Sequence, residues 1–439
     1  MPDNQIKLAG RVFDYYRANG AKKMLRRAAQ RIAQGQAGDE PAPIGCSLPP
    51  EAAALPIRRV ENTAGRRRLT LVIPSVERQH LFAGSWTALK VFWEAARAHD
   101  FRARIVCNNT PYNPEALQSL DFISPAELAG IESWARPGGG YCEVEDDEIF
   151  IATAWWTAYA LRRLELTHKV FYLVQDFEPS FYPWSHQYLL ALETYKLNYS
   201  KIINTSILYD FFRDRGHLHG SEAVFFEPAI NTELYRPGES RDYAATGKAT
   251  LLIYGRPSVP RNLFDVACMS LQHFFRTNPT YREKLGRIIS VGEKHADFSV
   301  DGYEVVSRGK MSLEEWAALA RSSDVGISLM SSPHPSYIPL EMAASGMVVV
   351  SNNMFNKDLS RVNGNFVTSA PGVEEIADCI RRALDKLEDQ DEINANARLF
   401  VSDGRGDWSS NLKHVTEFIA GNKILEEETS KDGCHVADG

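Results

Sequence analysis

The feature that most constrains the fold is a regular alternation of short apolar runs with amphipathic, helix-like segments. A polar crossing that contains Pro237 and Gly238 separates two such series, and the second series begins at Ala249–Tyr254. The runs in the first series have the length and composition of buried strands: Leu69–Ile73, Arg104–Cys107, Ile149–Ala152, Val170–Val174 and Ile202–Asn204. Strands that alternate with helices pack as a parallel sheet covered on both faces. The pattern therefore predicts two doubly wound α/β domains.

One stretch of the second series, residues 331–353, has the layout of an anion site. It follows an apolar run, and Pro339 suits the first turn of a helix. The backbone N–H groups of Ser336 and Tyr337 would then point at a bound phosphate. Glu341, one turn inside the helix, is placed to accept a hydrogen bond from a sugar hydroxyl. The alternative interpretation is an ordinary strand–helix–strand unit with a surface glutamate.

A second candidate anion site is the loop that follows strand Ala249–Tyr254. Gly255 opens this loop, and Arg256 and Arg261 stand five residues apart within it. Two arginines beyond the carboxyl end of a strand can clamp a diphosphate through bidentate hydrogen bonds. The alternative is a pair of loop arginines in surface salt bridges. Lys310, which precedes another predicted helix, would either contact the phosphates or remain solvated.

The first series carries carboxylates beside aromatic residues. Asp176 and Glu178 lie just beyond strand Val170–Val174, and Gln175 directly precedes them. Carboxylates accept hydrogen bonds from sugar hydroxyls, and either one could act as a base toward an acceptor hydroxyl. Small residues around Gly84 would let a substrate approach the backbone closely. The alternative for Asp176 is a turn in which it caps the backbone while the aromatic residues fill the core. The alternative for Gly84 is a plain tight turn.

Two histidines, His80 and His334, flank the predicted cleft from opposite domains. A lone loop histidine is more often structural, so neither is assigned a catalytic role.

Composition and missing motifs exclude several classes of protein. The chain has 439 residues and a net charge of −7, which argues against a nucleic-acid binder. No strand is followed by GxGxxG or GxxxxGK[ST], which argues against a dinucleotide oxidoreductase and a P-loop NTPase. The six cysteines form no CxxC pair, so we expect reduced thiols and no metal site. Without a signal peptide or an apolar run long enough to span a bilayer, we expect a cytoplasmic protein.

The ends of the chain differ from its middle. Residues 1–35 carry eight Lys or Arg among interspersed apolar residues, which indicates one or two basic amphipathic helices. These helices would rest on an anionic membrane surface near a lipid-linked substrate, or dock on their own protein. Residues 36–64 are rich in Ala, Pro and Gly and are predicted to be a linker. The tail from residue 425 is polar and predicted to be flexible.

With these residues in view, the chain resembles the GT-B glycosyltransferases, specifically the family-4-like enzymes. Gly255-Arg256 followed by Arg261 is similar to that family's Gly-Arg…Lys signature at the same spacing, with arginine in place of lysine. The segment 339–346 resembles its Pro-Leu-Glu-Ala-Met-Ala-Cys-Gly element. The family usually has a second glutamate eight residues before Glu341, and Pro333 stands there instead. The usual contact from that glutamate to the donor sugar is therefore missing.

A closer resemblance is to bacterial rhamnosyltransferases such as WsaF, and it rests on segments 174–179, 255–262 and 332–337. It implies dTDP-β-L-rhamnose or another nucleotide sugar as donor, a growing polysaccharide or lipid-linked glycan as acceptor, and no metal or cofactor. It also implies a GT-B architecture, in which two Rossmann-like domains face each other across a cleft. The expected divisions are basic helices and linker in 1–64, acceptor domain in 65–237, donor domain in 238–405, a helix in 406–424 that returns to the first domain, and a tail in 425–439.

The same resemblance suggests roles for the candidate residues. Arg256 and Arg261 would stabilise the leaving diphosphate and Glu341 would hold a hydroxyl of the nucleotide's sugar, with Asp176 as the base if the reaction inverts configuration. The remaining donor contacts are expected at Gly255, Lys310, Ser336 and Tyr337, and the acceptor contacts at Gly84, Gln175, Asp176 and Glu178. Two alternatives stay open: a nucleotide-sugar epimerase of the same shape, and a non-catalytic sugar-binding or scaffold protein.

Overall fold

The computed structural model describes residues 49–81, 83–238, 241–402 and 407–421. The predicted basic helices of residues 1–35, the first part of the predicted linker and the tail from residue 425 lie outside the described residues.

The first domain is built on a seven-stranded parallel sheet in the order β4-β3-β2-β6-β7-β8-β9. All six residues of its central strand Arg68–Ile73 are buried, because helices cover both faces of the sheet. The strands of this domain are Ile57–Val60 (β1), Arg68–Ile73 (β2), Arg102–Cys107 (β3), Glu132–Ala135 (β4), Cys142–Glu145 (β5), Ile149–Ala152 (β6), Lys169–Val174 (β7), Ser200–Asn204 (β8) and Ala223–Phe226 (β9).

Helices follow these strands as the alternating pattern predicts. Their starts carry local signals, such as Ser185 and Thr205, whose hydroxyls accept hydrogen bonds from backbone N–H groups of the first turn. The helices are Ala83–Ala98 (α1), Pro114–Leu117 (α2), Pro125–Ala129 (α3), Trp155–Leu161 (α4), His186–Glu193 (α5) and Ser206–Asp214 (α6). Shorter 3-10 turns cover Pro50–Ala52, Arg78–His80, Glu178–Phe181 and Thr194–Lys196.

Part of the predicted linker is ordered secondary structure, which corrects that expectation. β1, within the predicted linker, pairs in parallel with β5 to form a small two-stranded sheet. Leu55, just before β1, is buried in the core of the first domain, and its N–H bonds to the Ala160 carbonyl at 2.9 Å. The partner strand lies far along the chain, so composition near residue 57 carried no signal of it.

The second domain has a seven-stranded sheet in the order β12-β13-β11-β10-β14-β15-β16. All neighbouring strands are parallel except the edge strand β12, which runs antiparallel to β13. The strands are Ala249–Gly255 (β10), Leu285–Gly292 (β11), Phe298–Val300 (β12), Tyr303–Gly309 (β13), Val325–Ile327 (β14), Val348–Asn352 (β15) and Phe366–Ser369 (β16).

β14 is shorter than the predicted strand 325–330. The Asn352 side chain accepts the Met330 N–H at 2.7 Å and donates to the Met330 carbonyl at 3.1 Å. A side chain therefore satisfies backbone groups that a longer sheet ladder would have paired.

The helices of the second domain cover the faces of its sheet, and the α9 start has a complete capping box formed by Ser312 and Glu315. They are Asp242–Thr246 (α7), Phe264–Thr277 (α8), Leu313–Ser322 (α9), Ile338–Ala344 (α10), Val373–Lys386 (α11) and Gln390–Ser402 (α12), with 3-10 turns at Pro260–Asn262, Pro279–Lys284 and Leu359–Arg361.

The last described helix, Trp408–Ala420 (α13), packs on the first domain. Leu412, Val415 and Ile419 belong to the first-domain core, and the Trp408 ring centroid lies 5.4 Å from that of Trp86 on α1. The chain therefore crosses back after completing the second sheet, as the family resemblance implies.

The carboxyl ends of the strands in both sheets meet at one interface. The Tyr337 hydroxyl lies 2.6 Å from Asn204 Nδ2 at the end of β8, and Arg261 pairs with Asp176 beyond β7. Asn356 Nδ2 donates to the Ile207 carbonyl at 2.8 Å. In doubly wound sheets, ligands bind beyond the carboxyl ends of the strands, so this meeting of two such edges is where a site is expected.

Candidate functional site

Asp176 connects the two domains. One carboxylate oxygen accepts the N–H of Phe177 at 2.8 Å and the hydroxyl of Ser332, and the other pairs with the guanidinium of Arg261. Ser332 and Arg261 both belong to the second domain. Because both oxygens are engaged, Asp176 can act as a base only after these contacts break.

Arg261 lies in the 3-10 turn that follows β10. Its guanidinium packs over the Phe181 ring at 4.2 Å, and its backbone carbonyl accepts the Ser331 N–H at 2.7 Å. The first contact is a cation–π interaction with the first domain. Arg261 therefore provides a positive charge at the contact between the two domains, where it can pair with an anion.

Arg256 and Gly255 stand at the same edge with different surroundings. Arg256 is exposed in the loop after β10. Gly255 is buried, and a Cβ atom there would lie 2.6 Å from both the Phe264 ring and the Ser290 hydroxyl. Close packing inside the second domain therefore explains why this position needs a glycine. The predicted contact of Gly255 with the donor can be made only by its backbone atoms.

The segment before α10 uses its polar groups within the protein. The N–H of Ser336, a residue with φ of +68°, donates to Nδ1 of His334 at 3.0 Å. This corrects the expectation that the Ser336 N–H faces a phosphate. The Tyr337 hydroxyl is within hydrogen-bond distance of Thr87 at 3.1 Å and Asn204 at 2.6 Å, so its side chain joins the two domains.

Glu341 lies in α10 and accepts the indole N–H of Trp316 at 2.7 Å. Burial raises the pKa of Glu341 to about 7, against the lowering effect of that hydrogen bond. Its contact with a sugar hydroxyl of the donor stays a prediction. Lys310 is exposed immediately after β13.

Glu178 is a structural residue in the described chain, which corrects its predicted acceptor contact. One of its oxygens accepts the Tyr172 hydroxyl at 2.6 Å and the other accepts the Trp155 N–H at the start of α4 at 2.8 Å. The residue is only 5% exposed, and burial raises its pKa to about 7. Both oxygens are thus committed to the first-domain core.

Gln175 and Gly84 contact each other. Gln175 Nε2 donates to the Gly84 carbonyl at 2.8 Å, which fastens the start of α1 to the end of β7. The Gln175 Oε1 atom is buried and has no hydrogen-bond partner among the described residues. His80 is exposed, with Nδ1 2.9 Å from the Ser75 hydroxyl, so its structural interpretation stands.

Sequence reasoning missed two residues at the same edge, Lys357 and Asn204. Lys357 follows β15 and is 1% exposed, with Nζ donating to the Met330 carbonyl at 2.8 Å. Asn204 ends β8 and is 2% exposed. Asn204 carried a signal, its position at the end of a predicted strand, whereas Lys357 lies five residues beyond β15 and carried none.

Within the described ranges, no helix is long and apolar enough to cross a bilayer. The same residues contain no cluster of three or more His, Cys, Asp or Glu placed to hold a metal ion. Metal independence itself stays a prediction.

Comparison with known families gives matches to both domains. The WsaF N-terminal domain family matches residues 68–206, and the WsaF C-terminal domain family matches residues 249–381. Between them the two matches span more than half of the chain.

Individual relatives agree with this assignment. The O-antigen biosynthesis protein RfbC of Myxococcus xanthus is 29% identical over 343 residues, which cover 76% of this chain but only 26% of that protein. Anabaena HepE, solved in complex with UDP and glucose, has a TM-score of 0.57 at 13% identity and covers 81% of this chain and 100% of its own. Sucrose-phosphate synthase from Thermosynechococcus elongatus has a TM-score of 0.56 at 13% identity, with coverage of 81% and 99%.

The solved structures share the fold, and the family matches place both domains of this chain in one group of enzymes. The chain belongs to the WsaF-like GT-B glycosyltransferases.

Proposed function

We propose that this enzyme transfers a sugar, L-rhamnose from dTDP-β-L-rhamnose, to a growing bacterial surface polysaccharide or lipid-linked glycan. The observation that carries the nucleotide-sugar part is the pair Arg256 and Arg261 at the carboxyl edge of the second sheet, opposite the first domain. The polysaccharide part is supported by the relative named for O-antigen biosynthesis. The rhamnose part is supported by the family resemblance alone.

The mechanism follows from the charges at this edge. Arg256 and Arg261 stabilise the negative charge that develops on the diphosphate as the glycosidic bond breaks. Glu341 accepts a hydrogen bond from a hydroxyl of the nucleotide's sugar. The acceptor hydroxyl then attacks the oxocarbenium-like carbon, and its proton passes to the oxygen of the departing diphosphate. The reaction needs no metal in this scheme, because side chains neutralise the leaving group.

Stereochemistry determines the role of Asp176. Family-4-like enzymes retain configuration, and a retaining transfer needs no dedicated base. An inverting transfer would need one, and Asp176 would first have to leave Arg261 and Ser332. The structure therefore favours the retaining scheme.

A thermal-shift panel tests the donor. A ligand that binds the native state raises the melting temperature by mass action. We expect stabilisation by dTDP and dTDP-rhamnose without Mg²⁺, and its loss in Arg256→Ala. Stabilisation by UDP or GDP species alone would remove rhamnose from the proposal and keep glycosyl transfer.

A transfer assay separates the enzyme classes. Mass spectrometry should detect a glycan extended by one sugar when donor and acceptor are present. An altered, free nucleotide sugar formed without acceptor would instead identify an epimerase. A folded protein that neither transfers nor hydrolyses any donor in the panel would be a binding or scaffold protein.

The basic segment 1–35 is proposed to hold the enzyme at the inner face of the cytoplasmic membrane, near its acceptor. Flotation with vesicles containing anionic lipid should carry the full chain, and replacement of Lys22, Lys23, Arg26 and Arg27 by Glu should abolish this. Equal flotation of both proteins would contradict the proposal.

A further inference from the structure

Lys357 is a buried cation with no role in the mechanism above. It is 1% exposed, and among the described residues its only side-chain hydrogen bond goes to the neutral Met330 carbonyl. Burying an ammonium group is costly unless an anion accompanies it. The anion that influences Lys357 is the Asp176 carboxylate, which opposes the burial that lowers the Lys357 pKa to about 7. Asp176 belongs to the other domain.

The donors around Asp176 come from neighbouring parts of the second sheet. Arg261 follows β10, Ser332 follows β14 and Lys357 follows β15, and these three strands are adjacent. Arg261 and Ser332 both contact the carboxylate directly. Two cations and a hydroxyl at the carboxyl edge of a parallel sheet are the components of an anion site.

His334 adds a fourth donor. Its Nδ1 accepts the Ser336 N–H, so the proton of the neutral ring is on Nε2. That Nε2 atom is buried and has no hydrogen-bond partner among the described residues, and the residue is 8% exposed. Its backbone N–H donates to the Ser332 hydroxyl at 3.0 Å, and that hydroxyl donates to Asp176, so His334 adjoins the Asp176 contacts. An unpaired donor in this neighbourhood indicates that the site can accept more oxygen atoms than one carboxylate provides.

We infer that Arg261, Ser332 and Lys357 form a binding site for phosphoryl groups of the nucleotide donor, and that Asp176 occupies this site in the ligand-free chain. A carboxylate and a phosphate both accept paired hydrogen bonds from a guanidinium group, so one can replace the other. Donor binding then breaks the Asp176–Arg261 ion pair between the domains. This inference rests on the proposed function, since it names further contacts for the same donor.

The arrangement makes Asp176 a competitor of the donor. When a protein's own side chain fills a site for most of the time, the observed association constant is the intrinsic one multiplied by the fraction of time that the site is empty. Removing the carboxylate should therefore strengthen binding of a nucleoside diphosphate. A carboxylate that contacts only the acceptor, away from the phosphates, would not have this effect.

Isothermal titration calorimetry with dTDP and UDP on the full chain tests the inference. Asp176→Asn should bind the better of the two about tenfold more tightly than wild type. Lys357→Met should bind it at least about tenfold more weakly, with a smaller change for the nucleoside, which has no phosphate. Asp301→Asn, at an ion pair within the second domain, and Lys201→Met, at a buried first-domain lysine, are the matched controls.

Ser332→Ala provides a second variant if Lys357→Met does not fold, and we expect a smaller loss of affinity in the same direction. If Asp176→Asn binds the nucleoside diphosphate no more tightly than wild type does, the inference is wrong. The proposed function still holds in that case, provided that wild type binds the nucleoside diphosphate. Binding by Asp176→Asn alone supports the inference strongly. Absence of binding in both wild type and Asp176→Asn overturns the inference together with the donor site.

Discussion

Two clusters of buried charge differ in where their partners come from. The first lies in the first domain around the starts of β2 and β3, and it pairs three arginines with three glutamates: Arg68, Arg102, Arg104, Glu132, Glu145 and Glu148. The second lies at the interdomain edge, where Asp176 of one domain pairs with Arg261 of the other, and where Lys357 of that other domain is buried with a neutral carbonyl as its hydrogen-bond partner. The first cluster balances its charge within one domain, and the second does not.

This difference separates a structural role from a functional one. In the first cluster Glu148 accepts hydrogen bonds from both Arg68 and Arg104, so every partner is fixed when the domain folds. In the second, the Asp176 carboxylate of one domain pairs with Arg261 of the other, and under the inference above the donor displaces it. Perturbed charges in a cleft are candidates for ligand binding, whereas balanced networks distant from it support the fold.

The largest effect should come from breaking the balanced cluster. Glu148→Gln leaves Arg104 without a buried counter-charge and removes one of the partners of Arg68, so the free energy of unfolding should fall by about 3–5 kcal/mol in urea denaturation. Glu193→Gln, at an exposed pair with Lys196, should change it by less than about 1 kcal/mol. A loss below about 1 kcal/mol for Glu148→Gln would show that this cluster is not structural.

The next effect concerns turnover rather than stability. Arg256 is exposed, so Arg256→Ala should leave the free energy of unfolding within about 0.5 kcal/mol of wild type. Turnover with saturating donor should fall about a hundredfold, since a charge that stabilises the leaving diphosphate is lost. Arg276→Ala, at another exposed arginine of the second domain, is the control. Near-normal turnover in Arg256→Ala would remove its assigned role.

His334 should give the interdomain cluster a distinct pH dependence. Burial lowers the pKa of His334 to about 4, below about 6.5 in the unfolded chain. As the pH falls, His334 therefore takes up a proton in the unfolded chain before it does so in the folded protein. Its contribution to the free energy of unfolding is complete above about pH 6.5 and is lost as the pH falls toward 4.

The loss amounts to about 3 kcal/mol across that window. Unfolding measured at several pH values should show wild type losing more stability than His334→Leu as pH falls from 6.5 to 4. His80→Leu, at an exposed histidine, is the control. Parallel pH profiles for wild type and His334→Leu would contradict the buried neutral ring.

The smallest effect sharpens the contrast between buried lysines. Lys357→Met removes a charge with one neutral partner, so the free energy of unfolding should change by about 1 kcal/mol or less, or increase. Lys201 is fully buried and donates to two carbonyls and the Ser221 hydroxyl. Lys201→Met should therefore destabilise the protein more. The reverse order would mean that Lys357 is the structural lysine.

The sequence predicted most of the fold because apolar runs and helix signals are local. It predicted the position of Arg261 for the same reason, since a loop after a strand in an α/β domain opens at the ligand edge. Glu178 was misassigned because its two hydrogen-bond donors, the Tyr172 hydroxyl and the Trp155 N–H, come from other elements of the fold. β1 was missed because two of its four residues, Arg58 and Arg59, are charged and exposed, so it does not form an apolar run.

The contacts of Asp176 could not be predicted, because they depend on how residues from two domains meet. The sequence places Asp176 and Arg261 just beyond the ends of their own strands, and it does not show whether the two side chains are in contact. Lys357 has no motif at all, and only its burial beside a carboxylate makes it notable.

A crystal structure of the full chain with a bound nucleoside diphosphate would show whether the donor displaces Asp176. We expect phosphate oxygens within hydrogen-bond distance of Arg261 and Lys357, with the Asp176 carboxylate moved away from Arg261. A diphosphate bound elsewhere, with the Asp176–Arg261 ion pair intact, would contradict this expectation.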